Sequence, residues 1–450
     1  NKLVGNVSLS NEEFINLAIN NSANLNLNLK IKEKKTILSK TALELEKNQN
    51  ELANLISLET GLSLKDSSYE ISRVINCANY SIKCCDKINQ DQTFDFILDE
   101  KNYPELEVIS EPIGLVFAIT PFNHPMNQVA HKIFPAIIAG APVILKPSEK
   151  APLSAIKLVE ILTKNGLPKN MINVLTGKDG KSITESVLSD PRISMVTFTG
   201  GLLAGIDIKK TMILKKHYLT KYVPELGGSS SLIVCEDGNL DDAAEIIMNG
   251  CFKNSGQRCT STRRVVVENK VADLLIGKVL KKLEHLNFGN PFDKKTDVGT
   301  VIDEDAAIKI QKRVDDAVKS GAKVLFGNIR EGALYSPTLV DNVSLNMDLI
   351  SLETFGPVCP IIRTKSIEDS IKVAKTTKYK LAGAVVTSDE IKARKVCKEL
   401  SVGQFSLNGP PSYRTEVAPF GGFGNSGNGE KEGILLAARG MRRMRTFYRH

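Results

Sequence analysis

At 450 residues, with 42% apolar and 24% charged side chains, the chain has the composition of a globular protein large enough for two or three domains, each with its own core. The net charge of +8 is spread along the sequence without a basic block or interleaved aromatics, which argues against a nucleic-acid surface and for a mild bias toward anionic small molecules. No apolar run approaches bilayer length and no secretory leader is read. The eight cysteines form neither a CxxC pair nor a disulfide framework, so a reducing cytoplasm is the expected compartment. None of the five histidines stands at metal-ligand spacing to a cysteine, and no metal is expected.

In chain order, residues 10–50 and 66–90 read as helices. Glu12 and Glu13 stand where a first turn takes acidic residues, and Leu, Ile and Ala recur at three-to-four spacing with no internal proline. Thr93–Glu100 and Glu105–Glu111 read as strands around Lys101-Asn102-Tyr103-Pro104, a hairpin. Short apolar strands follow at Gly114–Ile119, Ala141–Leu145, Ile172–Leu175, Met195–Phe198 and Leu232–Val234, separated by helical patterns. Continuous Val/Ile/Leu strands alternating with helices predict a parallel sheet covered on both faces. A second alternating series runs from Arg264 to Leu407, and Arg442–Tyr448 reads as a last strand.

The chemistry gathers in short motifs. Cys259 stands in Asn254-Ser255-Gly256-Gln257-Arg258-Cys259-Thr260, a thiol directly after a guanidinium; upstream lies Glu225-Leu226-Gly227-Gly228, a carboxylate followed by glycines. A thiolate attacks, and a carboxylate can activate the water that later releases product. Taken singly, these would read as a buried cysteine and a strand-end glutamate. Arg258 offers a fork of donors suited to phosphate, phosphonate or carboxylate, and is expected to lower the thiol pKa. Pro121-Phe122-Asn123 follows a strand, where an amide can donate to a developing oxyanion. Lys146-Pro147-Ser148-Glu149 closes a strand where a cation and a carboxylate can meet ribose hydroxyls. Phe198-Thr199-Gly200-Gly201 ends another strand before a helix near Leu203, a natural pyrophosphate seat, though the spacing is not GxGxxG.

Seven segments carry a resemblance in order and at matching spacing. They are Ile119-Thr120-Pro121-Phe122-Asn123-His124-Pro125, Leu145-Lys146-Pro147-Ser148-Glu149, Phe198-Thr199-Gly200-Gly201, Glu225-Leu226-Gly227-Gly228, Gly256-Gln257-Arg258-Cys259, Glu353-Thr354-Phe355-Gly356-Pro357-Val358 and Pro419-Phe420-Gly421-Gly422. Over nearly its whole length the chain resembles the NAD(P)-dependent aldehyde dehydrogenase superfamily. The resemblance implies an α/β fold of two doubly wound domains and a bridging β-hairpin. The NAD-binding domain would take 1–93 and 114–226, the catalytic domain 227–408, and the bridging and oligomerisation segments 94–113 and 409–450. The hairpin and the terminal strand near 442–448 would pair across the subunits of a homodimer or homotetramer.

The resemblance also implies roles. Cys259 would be the nucleophile, Glu225 the base that activates water, and Asn123 with the Cys259 backbone N–H the oxyanion hole. Lys146 and Glu149 would hold the adenosine ribose, favouring NAD over NADP, with NADP possible. Thr120, Pro121, Ser148, Phe198, Thr199, Gly200, Gly201, Gly205, Leu226 and Gly227 would complete the cofactor site. The family usually has Ser where this chain has Gly201, so backbone N–H groups would carry more of the phosphate contact. Glu353 and Phe355 would hold the nicotinamide end. The product would leave by hydrolysis of a cysteine thioester rather than by transfer to coenzyme A, because relatives making that transfer commonly lack the Glu225 equivalent.

For the substrate, Arg73, His124, Arg258, Thr260 and Arg414 are the expected clamp on an anionic tail. The combination is most similar to phosphonoacetaldehyde dehydrogenases, which make phosphonoacetate. The alternatives are oxidation of glyceraldehyde-3-phosphate without phosphorylation, and lactaldehyde or succinate-semialdehyde oxidation. The segments Phe423-Gly424-Asn425-Ser426 and Asn428-Gly429-Glu430 depart from these relatives. An inactive relative with a structural role is the reading outside catalysis; loss of Cys259, Glu225 or Asn123 would favour it, and all three are present.

Overall fold

The computed structural model describes residues 3–25, 29–88 and 105–449. Where one helix was expected over 10–50 there are three: α1 (Glu12–Ala23), α2 (Ile31–Lys47) and α3 (Gln49–Thr60). Asparagines and a glutamate make the breaks. The Asn11 side chain accepts from Phe14 N and starts α1, and the Glu33 carboxylate accepts from Lys30 N at 2.7 Å and starts α2. Asn48 ends α2 and begins α3. Short polar side chains compete for backbone groups in this way, and apolar periodicity does not register it. Gly61, at φ 73°, stops α3; Ser63 then caps the long α4 (Leu64–Lys87).

β1 (Glu105–Pro112) precedes a doubly wound series: β2 (Leu115–Ile119), α5 (Asn127–Ala139), β3 (Val143–Lys146), α6 (Leu153–Lys164), β4 (Ile172–Val174), α7 (Gly180–Val187), β5 (Ile193–Thr199), α8 (Leu202–Leu214) and β6 (Lys221–Glu225). The strands form a parallel sheet in the order β4-β3-β2-β5-β6. Alternation along β2 explains the two covered faces. Val116 and Ala118 pack into a core shared with α2 to α6, while Leu115, Phe117 and Ile119 pack toward α1, α7 and α8. The run of apolar strands left β6 out, because Pro224 interrupts it, although Glu225 read as a strand-end glutamate. At the sheet edge, pairing only with β5, the missing N–H of Pro224 costs no ladder bond.

The second series is β7 (Ser230–Val234), α9 (Leu240–Cys251), β8 (Thr262–Glu268), α10 (Asn269–Leu283), α11 (Glu304–Lys319), β9 (Lys323–Phe326), β10 (Arg330–Glu331), β11 (Leu334–Tyr335), β12 (Thr338–Asp341), α12 (Asp348–Ser351), β13 (Val358–Thr364), α13 (Ile367–Ala374), β14 (Tyr379–Lys380), β15 (Ala382–Val386), α14 (Glu390–Leu400) and β16 (Gln404–Leu407). Its sheet runs β16-β15-β7-β8-β13-β12-β9, parallel except for β9, again with an apolar cluster on each face. The chain closes with β17 (Phe423–Gly424), α15 (Ile434–Gly440) and β18 (Arg442–Arg449).

The two bridging strands meet within the chain. β18 pairs antiparallel with β1 inside the same chain, Glu105 opposite Arg449 and Pro112 opposite Arg442, so one edge of each strand is already used. Ion pairs from Arg443 and Arg445 to Glu111 pin this register. The first strand expected for the hairpin, Thr93–Glu100, and its turn at 101–104 lie outside the described residues. Among the described residues no helix is long and apolar enough to cross a membrane.

One buried ion pair ties α5 to the segment before α15. Lys132 Nζ donates to Glu432 Oε1 at 2.7 Å and to Thr197 Oγ1 of β5 at 2.8 Å, and both charged side chains are almost wholly buried. Removing one partner strands the other charge. Lys132→Met is therefore expected to cost about 3–5 kcal/mol of folding stability, while Lys132→Met with Glu432→Leu recovers most of that loss. Urea unfolding midpoints of the two variants check it.

Candidate active site

The two sheets meet where the first ends and the second begins. Glu225 is the last residue of β6, Gly227 and Gly228 follow, and Cys259 lies just ahead of β8. Close approach explains both glycines. A Cβ on Gly228 would stand 2.1 Å from the Cys259 carbonyl oxygen, and one on Gly227 would stand 2.3 Å from Glu353 Oε2.

Cys259 is presented by a turn that no ordinary backbone would adopt. Asn254, Ser255 and Gly256 are successive left-handed residues, at φ 61°, 50° and 67°. Two non-glycine residues in that region cost about 1–3 kcal/mol each, and a dense set of bonds holds them. Asp66 Oδ2 accepts from Asn254 N at 2.9 Å, Ser255 Oγ donates to Gly299 O at 3.2 Å, and Gln257 Oε1 accepts from Ile302 N at 2.9 Å. The Arg263 guanidinium donates to the carbonyls of Gly256, Arg258 and Gly356. Gly256 has no room for a side chain, since its Cβ would meet Gly356 O at 2.1 Å.

Asn123 reaches the same turn. Its Nδ2 donates to Gln257 O at 2.7 Å, and Asn254 Nδ2 donates back to Asn123 O at 3.0 Å. An amide nitrogen carries two hydrogens, so Asn123 keeps a second donor in the wall of the cavity that Cys259 also lines. Burial first, then Glu353 and Glu225, push the Cys259 thiol up to about 12, against the pull of Arg414. The expected attraction between the Arg258 guanidinium and the Cys259 thiolate is present, but burial outweighs it. Arg258 also faces Asp66 and donates to Asn249 O, and Arg414 opposes the rise as well.

Glu225 is buried with neither carboxylate oxygen hydrogen-bonded. Burial and repulsion from Glu432 raise its pKa well above the ordinary carboxylate value, against Lys132, Arg414 and Lys431. Gly421, at φ 146°, makes the space: its Cβ would lie 2.5 Å from Glu225 Oε1. Glu353 Oε1 accepts from Gly228 N at 3.0 Å, which keeps it close to the turn that carries Cys259.

A cavity of about 70 Å³ brings together Cys259, Asn123 and all five clamp residues: Arg73, His124, Arg258, Thr260 and Arg414. Their states differ from the expectation. Arg73 is committed to Glu416 by two parallel bonds, NH2 to Oε2 at 2.8 Å and Nε to Oε1. His124 Nδ1 lies 3.4 Å from Glu70 Oε2. Arg414 stacks on Phe420 at 3.9 Å, with NH2 3.4 Å from His131 Nδ1. The Nε atoms of Arg258 and Arg414 are buried and have no acceptor.

A second cleft, about 460 Å³, opens at the carboxyl ends of β2, β3 and β5, where the strand order reverses between β2 and β5. Ligands bind at such reversals in open α/β sheets. Its lining includes Thr120, Pro121, Lys146, Ser148, Glu149, Phe198, Thr199, Gly200 and Gly201. Lys146 is salt-bridged to Glu149. Phe122 carries the wall toward Phe355, edge to face at 6.0 Å. Gly205 and Leu226 do not line it. They pack on one another, a Cβ on Gly205 meeting Leu226 Cδ2 at 2.5 Å. Motif reading missed Gly180, whose Cβ would strike Glu149 Oε1 and Lys146 Nζ at 2.3 and 2.4 Å. It also missed Arg263, Asp66 and Glu70, which bond backbone groups distant in sequence and sit in no motif.

A family model described as the aldehyde dehydrogenase family matches residues 1–446. A lactaldehyde dehydrogenase of Methanococcus aeolicus is 36% identical over 416 residues, covering 91% of this chain and 86% of that protein. A 3-sulfolactaldehyde dehydrogenase of Priestia megaterium is 36% identical over 414 residues, covering 91% and 84%. Among solved structures, a glyceraldehyde-3-phosphate dehydrogenase of Methanocaldococcus jannaschii complexed with NADP superposes with a TM-score of 0.92 at 32% identity, covering 99% of this chain and 96% of that one.

The unpaired Glu225 carboxyl has a consequence for stability. Its pKa is raised by folding, so the folded chain holds this proton more tightly than the unfolded one. Stability from this group is full below the unfolded pKa of about 4.3 and falls as pH rises above it. Glu225→Gln removes that slope. The variant is expected to be more stable than the wild type by about 1–3 kcal/mol at mildly alkaline pH, with the curves converging near pH 4. Denaturant midpoints across the pH range test it.

Proposed function

The chain belongs to the aldehyde dehydrogenase family, and from that premise we propose that it oxidises a small anionic aldehyde to its carboxylate with NAD or NADP. The observation that carries the anionic assignment is the pair of arginines, Arg258 and Arg414, whose Nε atoms are buried without an acceptor in the walls of the cavity that holds Cys259. A desolvated N–H without a partner is costly, and an anionic tail would supply the partner. Phosphonoacetaldehyde and 3-sulfolactaldehyde are the leading candidates, one matching the motif combination and the other acted on by a named relative. Lactaldehyde is the second reading, because Asp66, Glu70 and Glu416 offset much of the cavity's positive charge.

In this reading Cys259 attacks the aldehyde carbon, its proton passing to a neighbouring carboxylate. The second N–H of Asn123 and the Cys259 backbone N–H stabilise the oxyanion of the resulting thiohemiacetal. NAD(P), when bound, supplies the hydride acceptor. Glu225 then takes a proton from the water that cleaves the cysteine thioester, a task suited to a carboxyl of raised pKa. Lys146 and Glu149 would hold the adenosine ribose, Gly200 and Gly201 the phosphates, and Glu353 and Phe355 the nicotinamide end. The Lys146 pair offsets the charge of Glu149, which supports use of NADP beside NAD. The exposed apolar residues of α8, Leu203, Ile206, Ile213 and Leu214, support the homo-oligomer expected for the chain.

Turnover followed by NAD(P)H absorbance checks the assignment. Phosphonoacetaldehyde or 3-sulfolactaldehyde should exceed lactaldehyde in kcat/KM by about tenfold or more, the worth of one charge-assisted bond. Preference for lactaldehyde would overturn the anionic reading, and turnover by Cys259→Ala would sink the mechanism. Glu225→Gln should show a burst of NAD(P)H followed by slow steady turnover as thioester accumulates.

The phosphate seat gives a separate test. Gly201 has an ordinary φ of −70° and nothing within 4 Å of a Cβ. Gly201→Ser should fit and add a hydroxyl donor, lowering the cofactor Kd by about two- to tenfold. Fluorescence titration would read it, and a weaker Kd would place the phosphates elsewhere.

A further inference from the structure

Asp66, Glu70 and Arg73 stand four and three residues apart on α4, which places them on one stripe of the helix. All three line the cavity that holds Cys259. Each is tied to a different loop. Asp66 accepts from Asn254 N, in the turn that presents the nucleophile. Glu70 Oε1 accepts from Met126 N and Asn127 N, both at 2.9 Å, at the start of α5 just beyond Asn123, and its other oxygen faces His124. Arg73 grips both oxygens of Glu416, two residues after Arg414. That last loop is tied from its other side by Gln404 of β16, whose amide donates to Pro411 O and Tyr413 O.

We propose that this stripe of α4 is the jig that sets the three active-site loops in register, and that Arg73 is a positioning residue acting through Glu416 rather than a ligand of the substrate's tail. Three observations favour the strut over the ligand. Two of the three guanidinium nitrogens are engaged with a carboxylate that is 7% exposed, so releasing them to a substrate would leave Glu416 buried and unpaired. The bond pattern is bidentate, the geometry that fixes orientation as well as distance. The partner sits in the same short loop as Arg414, whose Nε does lack an acceptor. The stripe thus divides the cavity's cations into one that is held and others that remain to bind. The assignment rests on the cavity being the aldehyde site.

Arg73→Lys, Glu416→Gln and the swap Arg73→Glu with Glu416→Arg separate the two roles. For a strut, the single variants lose kcat/KM by about tenfold or more through misplacement. The factor should be the same for an anionic aldehyde (3-sulfolactaldehyde) and a neutral one (lactaldehyde), and the swap should recover part of it. A loss of tenfold or more confined to the anionic aldehyde in Arg73→Lys would make Arg73 a ligand and overturn the proposal; so would wild-type activity in both single variants. A second arm needs no turnover. Alkylation of Cys259 by iodoacetamide and by iodoacetate, followed on its peptide by mass spectrometry, should slow by the same factor for both reagents in Glu416→Gln, an isosteric change. Selective loss of the iodoacetate reaction in Arg73→Lys overturns the proposal even if the wild type proves to oxidise no aldehyde, a result that would instead refute the proposed function.

Discussion

Two side-chain amides clasp the halves of this protein together at its reactive point. Asn123, after the first strand of one sheet, donates to the carbonyl of Gln257; Asn254, ahead of the second strand of the other sheet, donates back to the carbonyl of Asn123. The clasp sets the distance between the thiol's turn and the amide beside it. Asn254 can take part only because its backbone is left-handed, and asparagine tolerates that region better than most residues. The glycines at 227, 228 and 256 exist for the same junction, each leaving out a Cβ that would have kept two loops apart.

Around the clasp the protein buries charge at a density that packing alone would not choose. Glu225 has no hydrogen-bond partner, Lys132 and Glu432 are paired in the interior, and Arg263 spends its guanidinium on backbone carbonyls. These groups lower stability where they are unpaired and give direction where they are paired. The thiol is pushed up and the carboxyl beside it is raised as well, so both rest closer to their protonated forms. Strongly shifted groups of this kind gathered at one cavity mark a candidate site for chemistry.

The parts of the site readable beforehand share one property: they are local. Phe198-Thr199-Gly200-Gly201 ends a strand and opens a helix, and the cleft lies there because a parallel sheet leaves its crevice at the carboxyl ends of its strands. Cys259, Asn123 and the five expected clamp residues do line one cavity. Gly205 was placed in the cofactor cleft because it follows the motif closely, yet it packs against Leu226 and the ring of Phe198. The helix expected over 10–50 failed at Asn24 and Asn48 for a related reason. A cap is decided by one hydrogen bond, and the apolar spacing runs through it unbroken.

By itself the sequence determined the fold class and singled out the residues of the candidate site, because strand–helix alternation and short motifs specify backbone and side-chain type over a few consecutive residues. Only the tertiary structure decided what each charge faces. Arg73 meets Glu416 across 343 positions, Asp66 meets Asn254 across 188, and Lys132 meets Glu432 across 300. The physical reason is that a charge takes its meaning from the nearest opposite charge and from how much water is left around it. Both are properties of packing, and no local pattern records them.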